Sequence, residues 1–154
     1  AERALDPAFD RRHVVTATRE VLNDPDRPVV DRLKALWALY GVGGFDDRVR
    51  ATLLEDREPA LRSWAVRLMC DQRAPPPEFL KRLADLAASE PSPVVRLALA
   101  SALQRLPLKD RPPIARNLVA RGEDALDANI PLGSAALGAA IQEYRQHIAF
   151  YRRL

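Results

Sequence analysis

Two stretches of this chain repeat one another. Glu58-Pro59-Ala60-Leu61-Arg62-Ser63-Trp64-Ala65-Val66-Arg67-Leu68 aligns with Ser92-Pro93-Val94-Val95-Arg96-Leu97-Ala98-Leu99-Ala100-Ser101-Ala102. Each reads as a polar capping residue, a proline, two positions that tolerate apolar side chains, an arginine, and then a stripe of small and large apolar residues. Pro59 is offset from Pro93 as Leu61-Arg62 is from Val95-Arg96. A weaker copy lies at Asp31-Arg32-Leu33-Lys34-Ala35-Leu36-Trp37. Helix pairs recurring every 30 to 40 residues or so are the mark of an α-solenoid. A hairpin of two short helices cannot cover its own apolar stripe, so each pair has to be shielded by the next.

Proline and glycine divide the rest of the chain into helical pieces. Asp6-Pro7 reads as an N-cap followed by a first-turn proline, opening a helix to about Asn23. After the turn at Asn23-Asp24-Pro25-Asp26-Arg27-Pro28, a second helix runs to Tyr40 with Leu33, Leu36, Trp37 and Tyr40 on one face. Gly41-Val42-Gly43-Gly44 stops it, because glycine takes the left-handed cap conformation without strain. A short helix over Asp46–Leu54 follows, then one from Pro59 with Leu61, Trp64, Ala65, Leu68 and Met69 at helical spacing. Beyond Ala74-Pro75-Pro76-Pro77, a helix from Glu78 to Ser89 turns Phe79, Leu83, Leu86 and Ala87 inward. Ser92-Pro93 caps the next, with Val95, Ala98, Leu99, Ala102, Leu103 and Leu106 inward. A shorter helix spans Asp110 to Arg121, and a last one starts near Gly133 or Ser134. No alternating strand pattern bounded by hairpin turns occurs. The fold class is therefore all-α: an α-solenoid of about eight helices in about four antiparallel pairs, forming one domain over residues 1–154.

Composition agrees. The chain holds 13 prolines and only 6 glycines, and prolines are easily placed when many short helices each offer a first turn with no hydrogen bond to lose. Net charge is +3 with acids and bases interleaved, as in Glu55-Asp56-Arg57-Glu58, which marks a solvated face more than a nucleic-acid footprint. The lone Cys70 excludes an internal disulfide, a cysteine-only metal cage and a Cys-x-x-Cys-His haem attachment site. No apolar run is long enough to span a membrane, and no basic-then-apolar signal segment opens the chain. It begins at Ala1, which reads as an excised domain or a processed product.

Three segments resemble a known family: Arg32-Leu33-Lys34-Ala35-Leu36-Trp37-Ala38-Leu39-Tyr40-Gly41, Leu61 to Leu68, and above all Ser92 to Pro107. They are similar to the HEAT-like region of large bacterial membrane-bound-dehydrogenase-like proteins, which join a propeller of the sugar-dehydrogenase type to a HEAT region and a c-type haem module. The likeness covers roughly residues 28–132, including Glu123-Asp124 and Asn129-Ile130-Pro131-Leu132. It implies an exported or periplasmic linker or docking module between redox domains, with no catalysis and no cofactor of its own. After Leu132 the family continues with bulky aromatic residues. Here Gly133-Ser134-Ala135-Ala136-Leu137-Gly138-Ala139-Ala140 follows instead, so residues 133–154 read as a divergent capping helix or an engineered replacement.

The expected function is accordingly a non-enzymatic scaffold whose partners are proteins or flanking domains. The alternatives are a nucleic-acid-binding HEAT-like domain, as in HEAT-like DNA glycosylases that use tryptophan, arginine and aspartate, or an engineered scaffold. The candidate interaction surface is Tyr144, Arg145, His147, Tyr151 and Arg152 on the last helix. Glu143 and His147 share a helix face but make only two ligands, and His13 lies far away in sequence, so no metal site is assigned. Trp37 and Trp64 are expected in the core, with a stacking platform as the alternative. Each arginine that follows a repeat proline is expected to reach an acid at the preceding helix end, such as Asp56 or Glu90.

Overall fold

The computed structural model describes residues 10–71 and 75–120. These residues are all-helical: α1 (Arg11–Asn23), α2 (Val29–Gly41), α3 (Asp47–Leu54), α4 (Pro59–Met69), α5 (Pro77–Ser89), α6 (Pro93–Ala102) and α7 (Arg111–Val119), with one 3-10 turn at Leu108–Asp110 before α7. None of them is long and apolar enough to cross a membrane. The chain divides into two compact units, the first ending at Leu61 and the second beginning at Arg62, in the first turn of α4.

In the first unit α1 and α2 form an antiparallel hairpin tied at both ends by arginines. At one end Arg11 Nε donates to Val42 O at 2.7 Å, and at the other Arg32 Nε donates to Leu22 O at 2.8 Å. Helix α1 starts later than expected. Asp10 has extended backbone angles and accepts hydrogen bonds from the N–H groups of Arg12 and His13, so it is the N-cap of α1; the expected cap at Asp6-Pro7 lies outside the described residues. The glycine stop holds: Gly43 sits at φ 72°, where only glycine is unstrained, and a Cβ on Gly44 would collide with Leu39. Leu22, Leu36, Leu39, Phe45, Val49, Leu53 and Leu54 make the core of this unit.

Helix α3 is set by Asp46, whose carboxylate accepts the Val49 N–H at 3.0 Å and the Arg19 guanidinium at 2.6 Å. The Val49 N–H chiefly, helped by Arg19, holds this carboxyl below its ordinary value of 3.8 against a smaller opposing effect of burial. A depressed folded-state value means that Asp46 stabilises the fold above 3.8 and ceases to do so as pH falls through that lower value. Asp46→Ala is expected to cost about 1 kcal/mol at neutral pH, as for other lost caps. In urea titrations the gap from the parent should close in acid. A gap that persisted undiminished there would show that the charge on Asp46 is irrelevant.

In the second unit, prolines open α4 and α5 and stand at Pro93 in α6 and at Pro112 and Pro113 in α7, where first-turn N–H groups have no helical acceptor. The core is lined by Ala65, Val66 and Met69 of α4, by Phe79, Leu83 and Ala87 of α5, by Val95, Ala98, Leu99 and Ala102 of α6, and by Ile114, Ala115 and Leu118 of α7. Helix α5 packs along α7, and Asn117 Nδ2 donates to Ala84 O at 2.8 Å across that contact. The side chain of Ser92 does not cap α6 as expected. Its own N–H is instead taken by a carboxylate of the link before it.

Candidate functional site

The polar interior consists mainly of arginines and the acids they grip. Arg32 and Asp56 are 5% and 8% exposed, Arg62 and Glu90 11% and 1%. Arg32 Nη2 donates to Asp56 Oδ2, and Nη1 to Oδ1 at 3.3 Å. Arg62 donates through Nε to Glu90 Oε2 at 2.9 Å and through Nη2 to Oε1 at 2.5 Å. Both are two-pronged pairs, the geometry for which a guanidinium is suited and an ammonium is not.

Each acid has a second task. Asp56 Oδ1 accepts the Glu58 N–H at 2.9 Å, and Glu90 Oε1 accepts the Ser92 N–H at 2.9 Å. Both N–H groups lie just ahead of a helix that begins with proline, where the chain turns inward. One carboxylate thus fixes the start of one helix and holds an arginine from an earlier one. Glu90, which Arg62 holds, lies in the link between α5 and α6, one helix beyond the helix that carries Arg62. Arg96, the third arginine of the alignment, donates to the main-chain carbonyls of Glu90 and Pro91.

The two tryptophans depart from the expectation that they are core. Trp37 is 43% exposed, because the buried face of α2 consists of Arg32, Ala35, Leu36 and Leu39. Trp37 follows Leu36 directly, so it is turned about 100° away from that face. The repeat alignment carried the signal: with Arg32 set against Arg62 and Arg96, Trp37 falls opposite Arg67 and Ser101, and both are exposed. Trp64 is half-buried, with the Arg67 guanidinium over its ring at 5.3 Å. Leu33, Tyr40, Leu68 and Leu86, also assigned inward, are only half-buried.

Tyr144, Arg145, His147, Tyr151 and Arg152 lie outside the described residues, as does Glu143. His13 is exposed on α1. Among the described residues no group of three His, Cys, Asp or Glu side chains could hold a metal ion.

What sequence reasoning missed is an arginine-lined trough in the second unit. A cleft of about 490 Å³ opens between the ends of α4 and α6, lined by Trp64, Arg67, Asp71, Ser101 and Arg105 among others. A second, of about 520 Å³, includes Gln104, Pro107 and Arg111 and shares Cys70, Asp71 and Arg105 with the first. Arg105 Nη1 donates to Asp71 Oδ1 at 2.5 Å between the two. Cys70 is fully buried beneath, and burial pushes its thiol from 9.0 up to about 11, partly offset by Arg105. Its thiolate should therefore be about a hundredfold scarcer than in the unfolded chain at mildly alkaline pH. Labelling by a thiol reagent should be correspondingly slow until denaturant is added, and equal rates in both states would contradict the burial.

Comparisons with protein-family models, with curated proteins and with solved structures find no match to this chain.

Proposed function

We propose that this chain is a HEAT-like α-solenoid module that serves as a non-enzymatic interaction scaffold for a protein partner or for flanking domains. The observation that carries the reading is the recurrence of one polar device. Asp56 and Glu90 occupy equivalent places in successive repeats. Each grips the arginine of the preceding repeat's second helix while it fixes the start of its own. A device that joins each helix pair to the next is what a stacked array requires, since its stability resides in neighbour contacts. The packing of α5 along α7, which come from consecutive pairs, supports the same reading.

Stacked pairs present one face of each second helix outward. The exposed Val30 and Trp37 of α2, and Val94 and Ser101 of α6, lie on that face. Large apolar groups among charges on a rigid surface suit protein recognition. The resemblance to the HEAT region of dehydrogenase-like proteins points to flanking domains as partners, in an exported or periplasmic setting.

The test has two arms. Chemical cross-linking of the chain in its source cells should join it to other proteins through lysines or carboxylates of the second helices. Purified chain should not turn over ester, phosphoester, glycoside or peptide substrates. A turnover abolished by substituting one polar residue would overturn the scaffold reading.

A further inference from the structure

We infer that the trough along the ends of α4 and α6 docks an acidic, extended segment of a partner protein. The inference rests on the scaffold reading and adds the chemistry of the partner. Among the described residues its lining is one-sided in charge: Arg67, Arg105 and Arg111 against the one carboxylate of Asp71, which Arg105 holds. Arg67 belongs to one cleft, Arg111 to the other, and the Asp71–Arg105 pair to both, so the two surplus cations flank a neutralised centre.

Both surplus arginines are held ready. The Arg67 guanidinium carbon lies 5.3 Å from the centre of the Trp64 ring, and among the described residues Arg67 has no carboxylate partner. A cation–π contact does not use up the guanidinium N–H groups, which suit a planar, two-oxygen acceptor such as a carboxylate. Arg111 is anchored by Nε to Leu106 O at 2.8 Å, which leaves its terminal nitrogens for a ligand. Trp64 and Leu68, both half-buried, supply apolar surface for the methylenes of an incoming glutamate.

Spacing separates the classes of ligand. A peptide can place its carboxylates on either side of Asp71 and a neutral residue opposite it. A nucleic acid carries a phosphate at every step and would set one against Asp71. A small anion would be satisfied at one arginine and would gain nothing from two adjoining clefts.

The experiment is fluorescence anisotropy on the full chain with three probes: a short labelled peptide of alternating glutamate and serine, its glutamine counterpart, and oligo-dT. The glutamate peptide should bind, with the glutamine form at least about tenfold weaker. Arg67→Gln and Arg111→Gln should each weaken it about tenfold, and Arg67→Lys less, since charge remains but the fork is lost. Arg48→Gln, in the first unit, should change nothing. Arg67 and Arg111 are not core residues, and circular dichroism confirms that each variant is folded before its binding is read. Absence of binding, binding indifferent to Arg67 and Arg111, or tighter binding of oligo-dT that these variants abolish would each overturn the inference. None of these touches the scaffold reading, which falls by its own turnover test.

Discussion

Glu90→Ala is expected to destabilise the protein by about 3–5 kcal/mol, the range for a buried pair that loses one partner. The substitution takes from the Arg62 guanidinium, 11% exposed, the carboxylate that holds it in two prongs, and removes the acceptor of the Ser92 N–H. Glu90→Gln should fall between, because the amide oxygen still accepts while the charge is gone. The pair itself is not expected to be a large net source of stability. Desolvating both ions offsets most of their attraction, so the double replacement Arg62→Met with Glu90→Leu should recover much of the loss. Urea denaturation of the four species forms a double-mutant cycle. A loss below about 1 kcal/mol for Glu90→Ala would show that water reaches the pair and that it is an ordinary surface contact.

Leu99→Ala should cost about 2–5 kcal/mol, because Leu99 is 0% exposed in the middle of α6 and its removal leaves a cavity in a packed interior. Val94→Ala on the same helix should stay within about 0.5 kcal/mol, since Val94 is 51% exposed. The contrast between the two tests the register of α6, and comparable losses at both would mean that the helix is turned differently.

That register was legible in the sequence. All six residues read as inward on α6 and its continuation, from Val95 to Leu106, are buried. Val95, Ala98, Leu99, Ala102, Leu103 and Leu106 recur at helical spacing, and Ser101, Gln104 and Arg105 mark the opposite side of the later turns. On α2 the same reasoning failed. Its sequence, Val-Val-Asp-Arg-Leu-Lys-Ala-Leu-Trp-Ala-Leu-Tyr-Gly, is apolar nearly all round, so hydrophobicity alone does not choose a face. A buried arginine chooses it instead, because Arg32 has to reach both Leu22 O and Asp56. Taking Arg32 as a core residue would have placed Trp37 outside.

The partners of the arginines were only half legible. Asp56 and Glu90 were picked out as the acids, but that Asp56 takes Arg32 and Glu90 takes Arg62, each across an intervening helix, depends on tertiary packing. Local spacing does not encode that. The cap of α1 at Asp10 was not read from the sequence, because Asp10 lies inside the helix expected from Pro7; its side-chain bonds to the Arg12 and His13 N–H groups mark it. The trough was invisible for a different reason: Arg67, Asp71, Arg105 and Arg111 are dispersed in the sequence and converge only through the folding of α4, α6 and α7.

The proposed solenoid requires that successive helix pairs stack in order, each second helix beside the next. Val30, Ala60 and Val94 occupy equivalent first-turn positions on α2, α4 and α6. Single cysteines placed there in pairs, in a Cys70→Ala background, allow inter-label distances to be measured by spin-label or fluorescence methods. Stacking predicts about one helix spacing, on the order of 10 Å between backbones, for positions 30 and 60 and for 60 and 94, and about twice that for 30 and 94. Three equal distances, as in helices gathered round a common axis, would contradict it.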